Sequence, residues 1–294
     1  MPEISVIIVT FNSGAFIKKC LDSVFHQDYP DLAVTVIDNG SSDGTAALVK
    51  KDYSKAALIE NKENLGACRA RNQGIAFMQS RWVLTLDCDV TLKEGFLKNI
   101  MAQAKNASGR LGMFQPKILR TDKKTVYSCG IVFSNLIRFD DIGKGAGDNG
   151  RFNNSKYVFG SCSAASLYKR EMLEEVKEDT GYFDERFFFL AEDVDLARRA
   201  QRKGWKGLFV PEAVCYHYGN SSSSDKQLRQ FFCWRNRNLI LEKERLNRPK
   251  RFLFFLSYDL PRLAYLFCTN HYVRNKNLYK DAGGELARIK AQKK

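Results

Sequence analysis

The strongest constraint on this chain is the alternation of short apolar runs and amphipathic stretches across residues 4–90. ISVIIVT (4–10) is a continuous β-branched run, as expected for a strand covered on both faces. Asn12 or Ser13 can cap the helix that follows. There Phe16, Ile17, Cys20, Leu21, Val24 and Phe25 recur at spacings of three and four and form one apolar stripe. AVTVID (33–38) predicts a second strand, NGSSDGT (39–45) a turn, and Thr45–Lys51 a helix. AALIE (56–60) predicts a third strand, Gly66–Gln79 a helix, and Trp82–Leu86 a fourth strand. Such a pattern requires an α/β fold: a Rossmann-like, mostly parallel central sheet with helices on both faces.

Beyond residue 90 the pattern loosens. TLKEGFLKNIMAQAKN (91–106) predicts a helix, and residues 111–159 predict short strands with Gly- and Asp-rich turns. SAASLYK (163–169) predicts a strand, Glu192–Lys203 a helix, and GWKGLFVP (204–211) a strand. Residues 226–247 and 250–272 predict two amphipathic helices. GKGAG within 140–150 lacks the spacing of a phosphate-binding loop and follows no clear strand, so it is read as a flexible loop. The expected organisation is a catalytic domain over 1–225, with halves of about 1–110 and 111–225, and a basic helical region over 226–294.

With 44% hydrophobic and 27% charged residues, the composition excludes a disordered or fibrous chain. Eight scattered cysteines without a CxxC pair predict reduced thiols in a reducing compartment. No signal peptide is expected before Ile4, and no run of 18 apolar residues is uninterrupted; in RFLFFLSYDLPRLAYLFC (251–268), Asp259, Pro261 and Arg262 break the middle. These features predict a cytoplasmic protein.

The net charge of +14 is concentrated at one end. From Lys226 onward there are 17 Lys+Arg against 5 Asp+Glu, whereas the first 225 residues are nearly balanced at 30 against 28. Aromatic and leucine residues run through the basic tail. That mixture favours peripheral attachment to an anionic membrane surface over nucleic acid; no nucleic-acid partner is expected. Oligomeric state is not readable.

In open α/β sheets, ligands bind beyond the carboxyl ends of the strands. The first strand delivers Thr10 and Asn12 there, the second Asp38 and Asn39, and the fourth Asp87 and Asp89. Asp87 and Asp89, two residues apart, would share a face and repel each other. A divalent metal or a sugar hydroxyl would resolve the repulsion.

The segment VIIVTFNSGAFIKKCLDSVFHQDYPDLAVTVIDNGSSDGT resembles the opening of the family-2 glycosyltransferases. ENLGACRARNQGI (63–75), LDCDV, FFFLAEDVDLARRAQRKGW and HYGNSS (217–222) follow in the family's order, the last as in bacterial rhamnosyltransferase-like members. The resemblance covers about residues 3–240. It implies a GT-A fold, a nucleotide-sugar donor, a divalent cation (Mn²⁺ or Mg²⁺) and inversion at the anomeric carbon. By resemblance, Thr10, Asn12 and Asp38 hold base and ribose, with Asp38 accepting a pyrimidine N3–H. Arg71 lies opposite the base or diphosphate, and Asp87 faces the ribose or metal-bound water. Asp89 and a cation hold the diphosphate, with His217 completing the metal shell, since imidazole suits Mn²⁺ better than Mg²⁺. Cys88, between the aspartates, is expected to turn into the core.

The second site expected from the resemblance is EDVDLARRAQRKG. Asp193 is the expected general base, Glu192 orients a neighbour, and Asp195 points elsewhere around the helix. GSCSAAS (160–166) resembles the small-residue segment beneath acceptor and sugar. QFFCWR departs from the Gln-x-x-Arg-Trp motif of processive synthases, which argues against a synthase with a transmembrane channel; Arg235 is a candidate for a phosphate contact. The expected function is inverting transfer from a UDP- or dTDP-sugar, a rhamnose-type donor first, to a saccharide acceptor carried on lipid. Two alternatives are a nucleotidyltransferase, whose Gly-rich loop TFNSGAF does not supply, and a non-catalytic carbohydrate- or lipid-binding relative.

Overall fold

The computed structural model describes residues 1–134, 138–219, 225–244 and 248–275. β1 (Ile4–Thr10), α1 (Gly14–Phe25), β2 (Leu32–Asp38), α2 (Thr45–Asp52), β3 (Ala57–Glu60), α3 (Ala67–Phe77) and β4 (Trp82–Asp87) follow in the predicted alternation. β1 lies between β2 and β4 and is parallel to both, with Thr10 opposite Asp38 and Val9 opposite Asp87. β3 adds a further parallel strand beside β2. Four strands therefore end on one edge of the sheet.

The chain continues through β5 (Val90–Leu92), α4 (Phe96–Lys105), β6 (Leu111–Arg120), β7 (Val126–Ser128), β8 (Ile131–Phe133) and β9 (Phe139–Asp141). It then forms β10 (Lys156–Val158), β11 (Ala165–Lys169), α5 (Arg170–Val176), α6 (Glu192–Arg202) and β12 (Lys206–His217). The main sheet has the order β10-β12-β6-β11-β4-β1-β2-β3. β11 runs against both neighbours, β4 and β6, while β12 is parallel to β6. The architecture is α/β with a mostly parallel central sheet flanked by helices, the GT-A arrangement.

Side-chain alternation sorts the sheet onto two cores. Val6, Ile8, Leu84 and Leu86 pack with Ile17, Leu21, Val49, Phe96 and Ile100, so α1, α2 and α4 cover one face. Ile7, Ile37 and Val83 pack with Ile75, Leu173, Leu196 and Leu239, so α3, α5, α6 and the first C-terminal helix cover the other. Burying each of these aliphatic side chains contributes roughly 1.5–3 kcal/mol.

The C-terminal region is α7 (Lys226–Lys243), α8 (Arg248–Phe254), a π-helical turn at Phe255–Asp259, α9 (Leu260–Thr269) and α10 (His271–Arg274). The turn carries Asp259 inward to a buried ion pair with Arg237, at 2.8 Å. Residues 245–247 of the first predicted tail helix lie outside the described residues, as does the chain after 275.

Three expectations are corrected. Residues 91 and 92, the expected start of a helix, belong instead to the strand Val90–Leu92, because these residues pair with Cys215–His217 of β12. β6 is a buried ten-residue strand near the middle of the sheet rather than a short one. β12 runs past Pro211 to His217: a register irregularity between Val210 and Val214 takes the proline out of the ladder. The first and third of these changes bring His217 to the site.

Candidate active site

Where β4 ends, Asp87 and Asp89 meet β12. Asp87, Asp89 and His217 each offer a ligand atom, and these atoms lie within 4.8 Å of one another. His217 Nε2 stands 3.1 Å from Asp89 Oδ1, and the Gly219 N–H donates to Asp89 Oδ2 at 3.0 Å. Burial lowers the basicity of His217, but the hydrogen bond and charge of Asp89, with Asp87, outweigh it and leave the imidazole above its usual value. His217 Nδ1 is buried without a partner, and the Tyr127 ring meets the imidazole edge-on at 4.3 Å. Two carboxylates and an imidazole, with a buried nitrogen left over, form a donor set that fits Mn²⁺, and Mg²⁺ less well because of the nitrogen. Cys88 between them is buried, and burial pushes its thiol up to about 12, so it stays protonated. All eight cysteines are free.

A second set of polar groups lines the ends of β1 and β2. Asp38 Oδ2 accepts from the Ser41 N–H at 3.0 Å, while Asp38 Oδ1 and the adjacent Thr10 Oγ1 are buried with no partner. Buried polar atoms left unpaired are costly, of order 1–3 kcal/mol each, unless a ligand or water satisfies them. Asn12 adopts a left-handed φ of 48°; its N–H donates to Ser41 Oγ and its Oδ1 accepts from the Ser42 N–H, both at 2.8 Å. It fastens the β1 and β2 loops together at the exposed rim.

Arg71 connects these groups to the acceptor side. Its Nη2 donates to Asp87 Oδ1 at 2.7 Å and its Nη1 to Glu192 Oε1 at 2.5 Å, with the guanidinium and Glu192 both buried. Burial disfavours the charged guanidinium, but Asp87 and then Glu192 more than offset this and hold it charged. Arg71 also supplies one of the positive charges that the paired aspartates need. Glu192 Oε1 accepts in addition from Ser163 Oγ at 2.9 Å.

Asp193 follows Glu192 at the start of α6, where the helix dipole favours negative charge. The Ser163 N–H donates to its Oδ2 at 3.1 Å, and its own helix supplies the Val194 N–H to Oδ1 at 2.8 Å. Burial first, then the adjacent Glu192 charge, push the Asp193 carboxyl up to about 7. A carboxyl with that value is matched to proton transfer near neutral pH. Asp195 points away, to Arg199 at 2.8 Å and Lys243 at 2.6 Å. The small residues 160–166 run beneath these acids; a Cβ on Gly160 would collide with the Ala197 side chain, so α6 sits directly on that segment.

Thr10, Asp38, Asp87, Asp89, Arg71, His217 and Asp193 thus gather at one edge, with Asn12 at its rim. Of HYGNSS, residues 220–222 lie outside the described residues. Arg235 is engaged by the protein itself: its Nη2 donates to the Arg186 carbonyl and its guanidinium covers the Phe232 ring. Sequence reasoning missed Ser163 as a side-chain partner and the buried amide network of Asn39, which bonds Asn61, Asn64 and the Leu65 N–H. It also missed the backbone ahead of α6. Phe188, Leu190 and Ala191 all have left-handed φ, at 64°, 71° and 63°, each costing roughly 1–2 kcal/mol for a side-chain-bearing residue. The Phe188 ring lies against Gly66, whose φ of 83° and missing Cβ allow the contact.

A family model described as "Glycosyl transferase family 2" matches residues 5–177. A similar curated protein is the N-acetylglucosaminyl-diphospho-decaprenol L-rhamnosyltransferase of Mycobacterium tuberculosis, 27% identical over 243 residues, covering 75% of this chain and 78% of the relative. Glycosyltransferase GlyA of Streptococcus pneumoniae is 26% identical over 214 residues; the match covers 65% of this chain but only 29% of that protein. Among solved structures, the mannosyltransferase of Pyrobaculum calidifontis in complex with GDP-Man and Mn²⁺ aligns with a TM-score of 0.59 at 19% identity, covering 99% of this chain and 75% of that one.

Proposed function

Because the chain belongs to glycosyl transferase family 2, we propose that it transfers a sugar with inversion from a UDP- or dTDP-sugar, a rhamnose-type donor first, to a saccharide acceptor carried on a lipid diphosphate. The observation that carries this reading is the bridge made by Arg71: one guanidinium fastens Asp87 of the metal-fitting cluster to Glu192, the neighbour of Asp193. A phosphate-binding set and a carboxyl poised near neutrality therefore share one rigid frame. The mycobacterial relative, named for a rhamnosyl transfer to a lipid diphosphate, supports the donor and acceptor classes.

In this reading Asp38 Oδ1 accepts the pyrimidine N3–H, Thr10 Oγ1 completes the base and ribose contacts, and Asn12 closes the rim. Asp87, Asp89 and His217 would hold Mn²⁺ or Mg²⁺, which when bound supplies Lewis-acid neutralisation of the charge that develops on the diphosphate. Burial raises the Asp87 carboxyl above its usual value, the Arg71 charge opposes that rise, and the Arg71 hydrogen bond fixes where Asp87 sits. Asp193 removes the proton from the acceptor hydroxyl. As the oxygen bonds to the anomeric carbon from the face opposite the nucleotide, the bond to the diphosphate breaks and the configuration inverts.

The tail supports a place at the cytoplasmic face of a membrane. Phe252, Leu253, Phe255, Leu256, Leu260, Tyr265 and Phe267 are 41–62% exposed. Phe252, Leu256, Leu260, Ala264 and Phe267 recur at spacings of four and three, which on a helix makes one face. Among the described residues no helix is long and apolar enough to cross a membrane. An apolar face beside a tail of 17 basic against 5 acidic residues suits an anionic bilayer surface. The test is a panel of UDP- and dTDP-sugars with Mn²⁺ and a lipid-diphosphate saccharide, with the product's anomeric configuration read by NMR. Inversion is expected; retention, or no turnover from any donor in either class, contradicts the reading.

A further inference from the structure

The left-handed backbone ahead of α6 is held by one buried side chain from the basic tail. Asn236 Nδ2 lies 3.1 Å from the Phe187 carbonyl, 2.8 Å from that of Phe189 and 2.6 Å from that of Leu190. Its own Oδ1 accepts from Arg235 Nε at 2.9 Å, and Arg235 in turn grips the Arg186 carbonyl. Asn236 is fully buried. Ala191, next in line, accepts the Asp195 N–H and so begins the helix that carries Glu192 and Asp193. Further along α7, Lys243 pairs with Asp184 at 3.0 Å and with Asp195 at 2.6 Å. The loop and the first turn of α6 are thus both pinned from α7.

Three side-chain-bearing residues at positive φ within four positions, Phe188, Leu190 and Ala191, are not self-sustaining; the surroundings must over-determine them. Three carbonyls on one amide do this here. We propose that Asn236 is a positioning residue for Asp193, acting through the backbone of residues 187–191, so that α7 is part of the catalytic machinery and not only an attachment device. The inference rests on Asp193 being the base. It makes Asn236 matter first for turnover: Thr10, Asp38, Asp89 and His217 sit on or beside β1, β2, β4 and β12, and the loop reaches that side through Phe188 on Gly66 and Cys68 and through Glu192 on Arg71.

The test compares Asn236→Ala, the double variant Asn236→Ala with Ala191→Gly, and Asp193→Asn, all in the full chain. Displacing the base by a fraction of an ångström is expected to lower kcat by about 10- to 100-fold in Asn236→Ala. Donor KM and Mn²⁺-dependent nucleotide affinity should stay within about twofold, since uniform binding is untouched. Glycine at 191 adopts the left-handed conformation without a Cβ penalty, so the double variant should recover much of the lost kcat. If Asn236→Ala does not fold, Asn236→Ser, which keeps one hydroxyl donor, should show an intermediate loss. Unchanged kcat in Asn236→Ala or Asn236→Ser overturns the proposal. So does a parallel fall of kcat and donor affinity that Ala191→Gly fails to relieve. Full turnover in Asp193→Asn would instead remove the base on which the inference rests, whatever Asn236 does.

Discussion

Asp89 and His217, brought together from β4 and β12, face each other at 3.1 Å with both side chains almost fully buried. A carboxylate and an imidazole at that distance can share a proton or, as we propose here, a metal ion. Imidazole is a better ligand for Mn²⁺ than for Mg²⁺. His217→Ala is therefore expected to raise the Mn²⁺ concentration for half-maximal activity by about tenfold or more. Mg²⁺-supported activity should change less. Equal effects on the two ions would show that the imidazole is not a ligand.

As the proposed base, Asp193 is expected to set the acid side of the pH profile. Its carboxyl, pushed up to about 7, must be ionised to accept a proton, so kcat/KM should fall tenfold per unit as pH drops below about 7. Asp193→Asn should lose about 10²- to 10⁴-fold in kcat with nucleotide affinity preserved. A profile flat to pH 5 would place the base elsewhere.

The same shift makes a stability prediction of definite sign. Between about pH 4 and pH 7 the folded protein keeps a proton on Asp193 that the unfolded chain has released, so this group's contribution falls as pH rises. Asp193→Asn should melt above the native protein at pH 8, with the difference vanishing below about pH 4. A variant that melts lower at pH 8 would contradict the raised value.

Arg71 compensates two acids at once. Arg71→Met leaves Asp87 and Glu192 without their shared cation and should cost about 3–5 kcal/mol in urea unfolding. Arg71→Lys keeps the charge but lacks the fork that reaches both acids, and should recover only part of that loss. Recovery to native stability in the lysine variant would mean that charge alone, not bridging, holds the frame.

The apolar face of α8 and α9 predicts lipid binding. Phe252→Asp with Leu256→Asp should lower co-sedimentation with phosphatidylglycerol vesicles by at least about tenfold, given the area each side chain would bury. Phosphatidylcholine vesicles should bind the native protein weakly. Strong binding to both lipids, or none to either, would remove the anionic surface as partner.

Much of this was legible in the chain because periodicity is local. The strand–helix alternation up to residue 87 follows from side chains a few positions apart, and Thr10, Asp38 and Asp87 fall at strand ends on the same count. β5 escaped because three residues carry no period, and their pairing with Cys215–His217 is a distant event. β12 was cut short at Pro211 because a proline normally ends a ladder; only the irregularity beside it shows how the strand continues to His217. The resemblance placed Arg71 opposite the base or diphosphate, but its bonds to Asp87 and Glu192, the second across 121 residues, could not be read from the chain. Asn236 gave no signal at all, since the three partners of its Nδ2 are backbone carbonyls and a carbonyl has no residue type.

The account stands or falls on metal-dependent nucleotide binding at the edge where these acids meet. The most direct measurement is calorimetry of UDP and dTDP with and without Mn²⁺ on the native protein, Asp89→Ala and Asp193→Asn. The expected result is affinity that requires Mn²⁺, is lost by about tenfold or more in Asp89→Ala, and is unchanged in Asp193→Asn. Nucleotide binding indifferent to the metal and to Asp89 would contradict it.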